Sequence, residues 1–239
     1  MPIRRRSLFA AVPALVFALD VQAGQLLGPA PYLSSADSPF ATLPAGALVI
    51  EDFEDGLLNQ AGVSTNAGNV VAAPGALTDS VDGDDGVVDG TGTGGRSLYS
   101  ANVNATISFS FDPLMMASLP THVGIVWTDV GNVSSGTLGV GTVRFEAFGA
   151  DGSSLGFTEV EVGDGAATGG TAEDRFFGVI EAGGISRISL TMANSIDWEV
   201  DHLQFAVAPV PLPAAAWLLG SALLTLVLRR PHCRLPRKS

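Results

Sequence analysis

The chain has 239 residues, enough for one sizeable domain plus terminal segments. Its net charge of −12 conceals a segregation: residues 1–23 hold three basic residues and one acid, and residues 209–239 hold five basic residues and no acid, which leaves four basic residues against 23 acids, a net of −19, in residues 24–208. A body this acidic excludes attachment to a nucleic acid backbone through charge, and a single cysteine, Cys233, excludes a disulfide framework.

The first 23 residues read as a secretory signal peptide. Arg4, Arg5 and Arg6 form the basic start, Leu8 to Leu19 the apolar stretch, and Val21-Gln22-Ala23 a small-x-small cleavage site. Residues 24–45 mix proline, serine and alanine without a period and read as a flexible or surface-laid leader, outside the body proper. The body, residues 46–208, is a series of short strands. Ala47 to Phe53 is the first, closed by Glu54-Asp55-Gly56. Thr106 to Phe111 alternates polar and apolar without a break, the period of a strand with one buried face. Val123 to Trp127 is continuously apolar and reads as central. Thr142 to Phe148 and Leu155 to Val162 flank an Asp151-Gly152 turn, a hairpin signature. Phe176 to Ile180, Ile185 to Met192 and Asp197 to Val207 complete the set. Roughly nine to eleven strands between Gly/Asp turns imply an all-β fold, an antiparallel β-sandwich. A jelly roll of the lectin type is the first expectation, and an immunoglobulin-like sandwich the second.

Residues 209–239 have three parts in fixed order. Pro209-Val210-Pro211-Leu212-Pro213 cannot continue a sheet or a helix. Ala214 to Leu228 is free of charge, and Arg229, Arg230, Arg234, Arg237 and Lys238 follow it. A helix over 213–228 would be about 24 Å long at roughly 1.5 Å per residue. Snorkelling of Arg229 and Arg230, with Trp217 at the other interface, fits that length to a transmembrane helix with its basic end in the cytoplasm.

This order, carried by Val210-Pro211-Leu212-Pro213, Trp217 and the Arg229-Arg230 pair, resembles the PEP-CTERM sorting tail of Gram-negative bacteria; Pro211-Leu212-Pro213 stands where the family has Pro-Glu-Pro. The resemblance implies handling by the export machinery and an exosortase, and delivery to the cell surface or the extracellular, biofilm matrix. Within the body, Leu77 to Gly86, Gly124 to Asp129, Thr171 to Gly178 and Trp198 to Phe205 resemble a recurring kind of PEP-CTERM ectodomain, which brings no known activity with it.

Several constellations have the composition for chemistry. Asp82, Asp84, Asp85 and Asp89, spaced by glycines, suit a Ca²⁺ ion, which takes six to eight oxygens from a chain able to curl around it; the same stretch also reads as a solvated acidic turn. Glu51 and Glu54, at the end of the first strand, and Asp201, on the last, form a second candidate calcium set. In a regular final strand Asp201 shares a face with Leu203 and Phe205 and points inward; a β-bulge between Val200 and Leu203 would turn it the other way. Gly152-Ser153-Ser154-Leu155-Gly156 matches Gly-x-Ser-x-Gly, but a strand follows it where a nucleophile elbow needs a helix. Glu159, Glu161, Glu199 and Asp201 are carboxylates from which a glycosidase pair could be drawn. Trp127 and Trp198, set among apolar strand residues, read as core. Together these readings describe an exported, non-enzymatic surface or matrix protein, calcium-stabilised and associated with exopolysaccharide; the alternative is an extracellular glycan hydrolase.

Overall fold

The computed structural model describes residues 24–72, 80–81, 95–100, 106–129, 141–162, 174–193 and 198–207. The signal peptide and the sorting tail expected from the sequence lie outside them.

Twelve strands are formed by the described residues: β1 (Gln25–Pro31), β2 (Leu48–Glu51), β3 (Val63–Thr65), β4 (Asn69–Ala72), β5 (Arg96–Ser100), β6 (Thr106–Phe111), β7 (His122–Asp129), β8 (Gly141–Gly149), β9 (Ser154–Val162), β10 (Arg175–Ile180), β11 (Ile185–Ala193) and β12 (Trp198–Ala206). One short helix, α1 (Pro113–Met116), links β6 to β7. The strands make two antiparallel sheets. A seven-stranded sheet runs β1-β10-β7-β12-β5-β4, with β2 also on β12, and a five-stranded sheet runs β3-β6-β11-β8-β9.

Alternation in the sequence becomes two-sidedness in the sheet. On β6, Ile107, Phe109 and Phe111 enter the space between the sheets, as do Val143, Phe145 and Ala147 on β8 and Ile188, Leu190 and Met192 on β11. Val123, Ile125, Trp127, Phe177, Val200, Leu203 and Phe205 meet them from the larger sheet. The Trp127 indole N–H points to the Met192 sulfur at 2.8 Å, so the tryptophan is core. The Asp151-Gly152 hairpin forms as its turn chemistry requires: Gly152 sits at φ +79, and the Gly149 N–H reaches the Ser153 carbonyl at 2.9 Å.

Of the two readings of residues 24–45, the structure shows the surface-laid one, and it makes the stretch part of the body instead of a flexible leader. Gln25–Pro31 is an edge strand on β10, and the segment behind it lies across the outer face of the seven-stranded sheet. Tyr32 and Phe40 from that segment, with Val81, bury against Val126 and Phe176 in a second, smaller core. The register of β1 shifts between Leu27 and Ala30, which erases the period that marks a strand in the sequence. Gly28 is obligatory at the shift: its φ is +85, and a Cβ there would lie 2.1 Å from the Phe176 carbonyl oxygen. The molecule therefore has three layers: the five-stranded sheet, the seven-stranded sheet, and a cover over the latter.

Candidate functional site

The final strand carries a bulge. β12 loses register with β7 between Asp201 and Gln204, and His202 takes a left-handed backbone, φ 41. The extra residue lets Val200 and Leu203 both face the inner core and turns Asp201 to the opposite face, where it pairs across the ladder with Val126 of the outer cluster. Glu51 pairs with Leu203 and so shares its inner side. Glu51 and Asp201 thus stand on opposite faces of one sheet, and Glu51, Glu54 and Asp201 do not converge on a common ion. Each buried acid has a local task instead. Glu51 accepts from the backbone N–H groups of Phe53 (3.0 Å) and Asn59 (3.4 Å) and ties the loop after β2. Asp201 is fully buried and accepts from Ser80 Oγ (3.0 Å), the Val81 N–H (2.9 Å) and the His202 N–H (2.6 Å).

Around Asp201 lies a buried polar layer that the sequence did not announce. Tyr32 Oη meets His202 Nδ1 at 3.1 Å and accepts from Gln204 Nε2 at 2.9 Å, while Ser38 Oγ donates to Gln204 Oε1 at 2.5 Å. Ser97 donates to the fully buried Glu199. These side chains fasten residues 32–40 and 80–81 to β12. Among the described residues no group of three or more His, Cys, Asp or Glu is placed to hold a metal. Asp82, Asp84, Asp85 and Asp89 lie outside the described residues, as do Val210, Pro211, Leu212, Pro213, Trp217, Arg229 and Arg230. No helix among the described residues is long and apolar enough to cross a membrane, and 213–228 falls beyond them.

The Gly-x-Ser-x-Gly serine, Ser154, sits at the start of β9 and donates to Glu146 Oε1 at 2.7 Å, with no histidine at its hydroxyl among the described contacts. His122 bonds Thr121 Oγ1 through Nδ1 at 2.9 Å and stacks edge-on to Phe40; burial lowers its pKa from the ordinary 6.5.

Among the described residues, no segment is laid over the outer face of the five-stranded sheet as residues 32–43 are over the other, although Ser108 and Ser189 in its middle are buried by their neighbours. Cross-strand register sets its side chains in rows. One row runs Ser154, Phe148, Arg187, Ser110, Ser64; the next Phe157, Glu146, Ser189, Ser108; the third Glu159, Arg144, Thr191, Thr106. Two phenylalanines are overlaid by guanidinium groups: Arg144 stands 3.5 Å from the centre of the Phe157 ring, and Arg187 stands 3.8 Å from that of Phe148. Arg144 also reaches Glu146 at 3.2 Å and Glu159 at 3.6 Å. The Ser154 hydroxyl, and then Arg144, hold the Glu146 carboxyl below its ordinary value. Phe157 keeps 51% of its surface exposed. Two of the body's four arginines stand on this face. The outward set Thr142, Arg144, Glu146, Phe148 was readable from the alternation of β8, whereas the strand that completes each row was not.

No protein-family model matches the chain, nor does any curated protein. Among solved structures, the chain is similar to the K1 cleaved adhesin domain of Lys-gingipain from Porphyromonas gingivalis W83, with 13% identity and a TM-score of 0.40 over 69% of this chain and 100% of that one. It is also similar to the C-terminal family 22 carbohydrate binding module of Clostridium thermocellum Xyn10B, with 12% identity and a TM-score of 0.37 over 71% and 99%. Likenesses this distant carry no argument about what this chain binds.

Proposed function

We propose that the chain is an exported, non-catalytic module of the cell surface or matrix, and that its ligand is a neutral polysaccharide laid across the outer face of the five-stranded sheet. The observation that carries this reading is the row structure of that face. The part of Phe157 left exposed beside its guanidinium, together with neighbouring carboxylate and hydroxyl groups, offers apolar contact for sugar C–H groups and planar hydrogen-bond partners for vicinal hydroxyls. Five strands at about 4.8 Å spacing make a platform roughly 19 Å wide, enough for several sugar units. A net charge of −19 over residues 24–208 repels polyanions, which favours a neutral chain of sugars. Export and sorting through residues 1–23 and 209–239, with exosortase handling, belong to the same proposal.

The hydrolase alternative loses two of its named acids: Glu199 and Asp201 are fully buried and already accept hydrogen bonds. Calcium is proposed at Asp82–Asp89, a stretch that begins one residue after Val81, which is anchored on Asp201. Thermal melts in millimolar calcium and in chelator test that assignment, and identical melts would remove it.

A glycan array run on the chain from Gly24 tests the ligand. The expressed chain keeps Gln25–Pro31, because β1 belongs to the sheet. Binding to a neutral glycan that survives added salt and disappears in Phe157→Ala supports the reading. Retention of that glycan by a variant carrying both Phe157→Ala and Arg187→Ala rejects this face as its site.

A further inference from the structure

Two large apolar side chains are held out into solvent on α1. Leu114 is 91% exposed and Met115 is 65% exposed. They are not on a loose loop. The Asp112 side chain accepts from the Leu114 N–H at 2.9 Å, Pro113 opens the turn, and the Asp112 N–H donates to the Gly62 carbonyl at 2.8 Å. Met116 turns the other way, packs on the core and closes over Gly62, so the turn is pinned from beneath while Leu114 and Met115 project.

The location of this turn gives the pair a partner. α1 runs from the end of β6 to the start of β7, and the start of β7 is where the body's last strand ends: Ala206 pairs with His122, and its carbonyl accepts from the Thr121 N–H at 2.9 Å. The chain leaves the sandwich at the pole that carries Leu114 and Met115. Five residues lie between Val207 and Pro213, six steps along the chain, with prolines at 209, 211 and 213. Even fully extended, at about 3.1 Å per residue for a proline-rich stretch, six steps reach no more than roughly 19 Å. If 213–228 spans the bilayer, as its sequence leads us to propose, that reach keeps the pole close to the lipid surface.

We infer that Leu114 and Met115 are the body's lipid contact. While the tail helix is in the membrane, the pair rests at the boundary between headgroups and acyl chains and fixes the tilt of the sandwich. The inference rests on the membrane-helix reading of the tail and not on the glycan reading of the sheet face. Asp112, Asp151 and Glu181 sit at the same pole, so anionic headgroups do not attract it. The contact is apolar and takes hold because the tether confines the pole beside the bilayer, an effective-concentration effect that a body cut from its tail loses.

The test uses the full chain in vesicles of phosphatidylethanolamine and phosphatidylglycerol. In a Cys233→Ser background, Met115→Cys or Leu114→Cys carries a polarity-sensitive dye, and Thr106→Cys, exposed at the far end of β6, carries it as the control. The expected result is a several-fold brighter, blue-shifted signal at 114 and 115 that shallow spin-labelled lipid quenches. The label at 106 stays unquenched, and cutting the tail returns the signal at 115 to that of 106. Equal, unquenched signals at 115 and 106 in chains that float with the vesicles would overturn the lipid contact alone. Dye self-quenching at 115 that grows with the protein-to-lipid ratio would replace it with a contact between two copies. Failure of the chain to float would remove the membrane-helix reading and this inference with it, leaving the glycan reading untouched.

Discussion

The two outer faces of the sandwich obey the same period-two rule and come out as opposites. On the seven-stranded sheet the outward residues Val126, Phe176, Asp201 and Gln204 are buried, because residues 32–43 and 80–81 lie on top of them. On the five-stranded sheet the outward residues Arg144, Glu146, Phe157 and Glu159 remain partly or largely open. A polar side chain on the covered face is shut off from bulk solvent, so most of those on β12 find a partner inside the protein, while the buried Thr128 hydroxyl has none among the described contacts. On the open face the same chemistry is screened, exchangeable and available to a ligand. The contrast teaches that polar residues on one sheet face can hold the fold together while those on the other can serve recognition, and substitutions should separate the two.

The largest effect belongs to the ring at the centre of the cover. Phe176 stacks on Tyr32 and meets Phe40 edge-on, and it fits only because position 124 is glycine, where a Cβ would lie 2.3 Å from the ring. Phe176→Ala should cost about 3–5 kcal/mol in chemical denaturation. A loss under about 1 kcal/mol, the ordinary range for exposed sites, would show that the cover is only loosely attached. Asp201→Ala comes next. It leaves Ser80 Oγ and two backbone N–H groups without their acceptor and should cost about 3 kcal/mol. That loss should be similar in calcium and in chelator, because the carboxylate's oxygens are taken by donors. A loss seen only in calcium would restore a metal role to Asp201.

The legibility of the sequence divides along the same line. Strands with a face in the core between the two sheets announced themselves: the TISFSF alternation became β6 with its bounds unchanged, and β7 to β12 end within one or two residues of the runs that marked them. β1 was missed because its register shift and Gly28-Pro29 break the period. β3, β4 and β5 were missed because three to five residues are too few to establish one. On the covered face, the choice between a regular strand and a bulge at Asp201 could not be made from Val200-Asp201-His202-Leu203, since both satisfy the apolar pattern. Only the cover, a contact across more than 100 residues of chain, decides it. The rows of the open face required strand order, which local pattern does not contain.

A smaller effect lies at the edge of the cover. Burial favours the neutral imidazole of His122, so its folded pKa is below the unfolded 6.5. The unfolded chain therefore takes up a proton first as pH falls, and stability contributed by the neutral form is complete above 6.5 and is lost on the way down. The ring is only partly covered, so the slope should be a fraction of the roughly 1.4 kcal/mol per pH unit that a whole proton would give. Denaturant midpoints between about pH 5 and the ordinary histidine pKa should fall in the parent and flatten in His122→Gln. Parallel curves would mean that the proton is taken up elsewhere.

The smallest effect on stability is expected where the effect on binding is largest. Arg144 lies over Phe157 and between Glu146 and Glu159, but the Glu159 side chain is about half exposed, and exposed pairs are worth roughly 0–1 kcal/mol. Arg144→Ala should therefore lower the unfolding free energy by no more than about 1 kcal/mol. The same change leaves Glu146 with Ser154 as its partner and removes a planar donor from the third row, so it should strongly weaken glycan retention even though it uncovers the Phe157 ring. Arg144→Lys sharpens the distinction: it keeps the charge and loses the flat, forked donor, and retention should fall with it. If lysine restored full binding, charge alone would be the requirement, and the geometry of the open face would lose its claim to specificity.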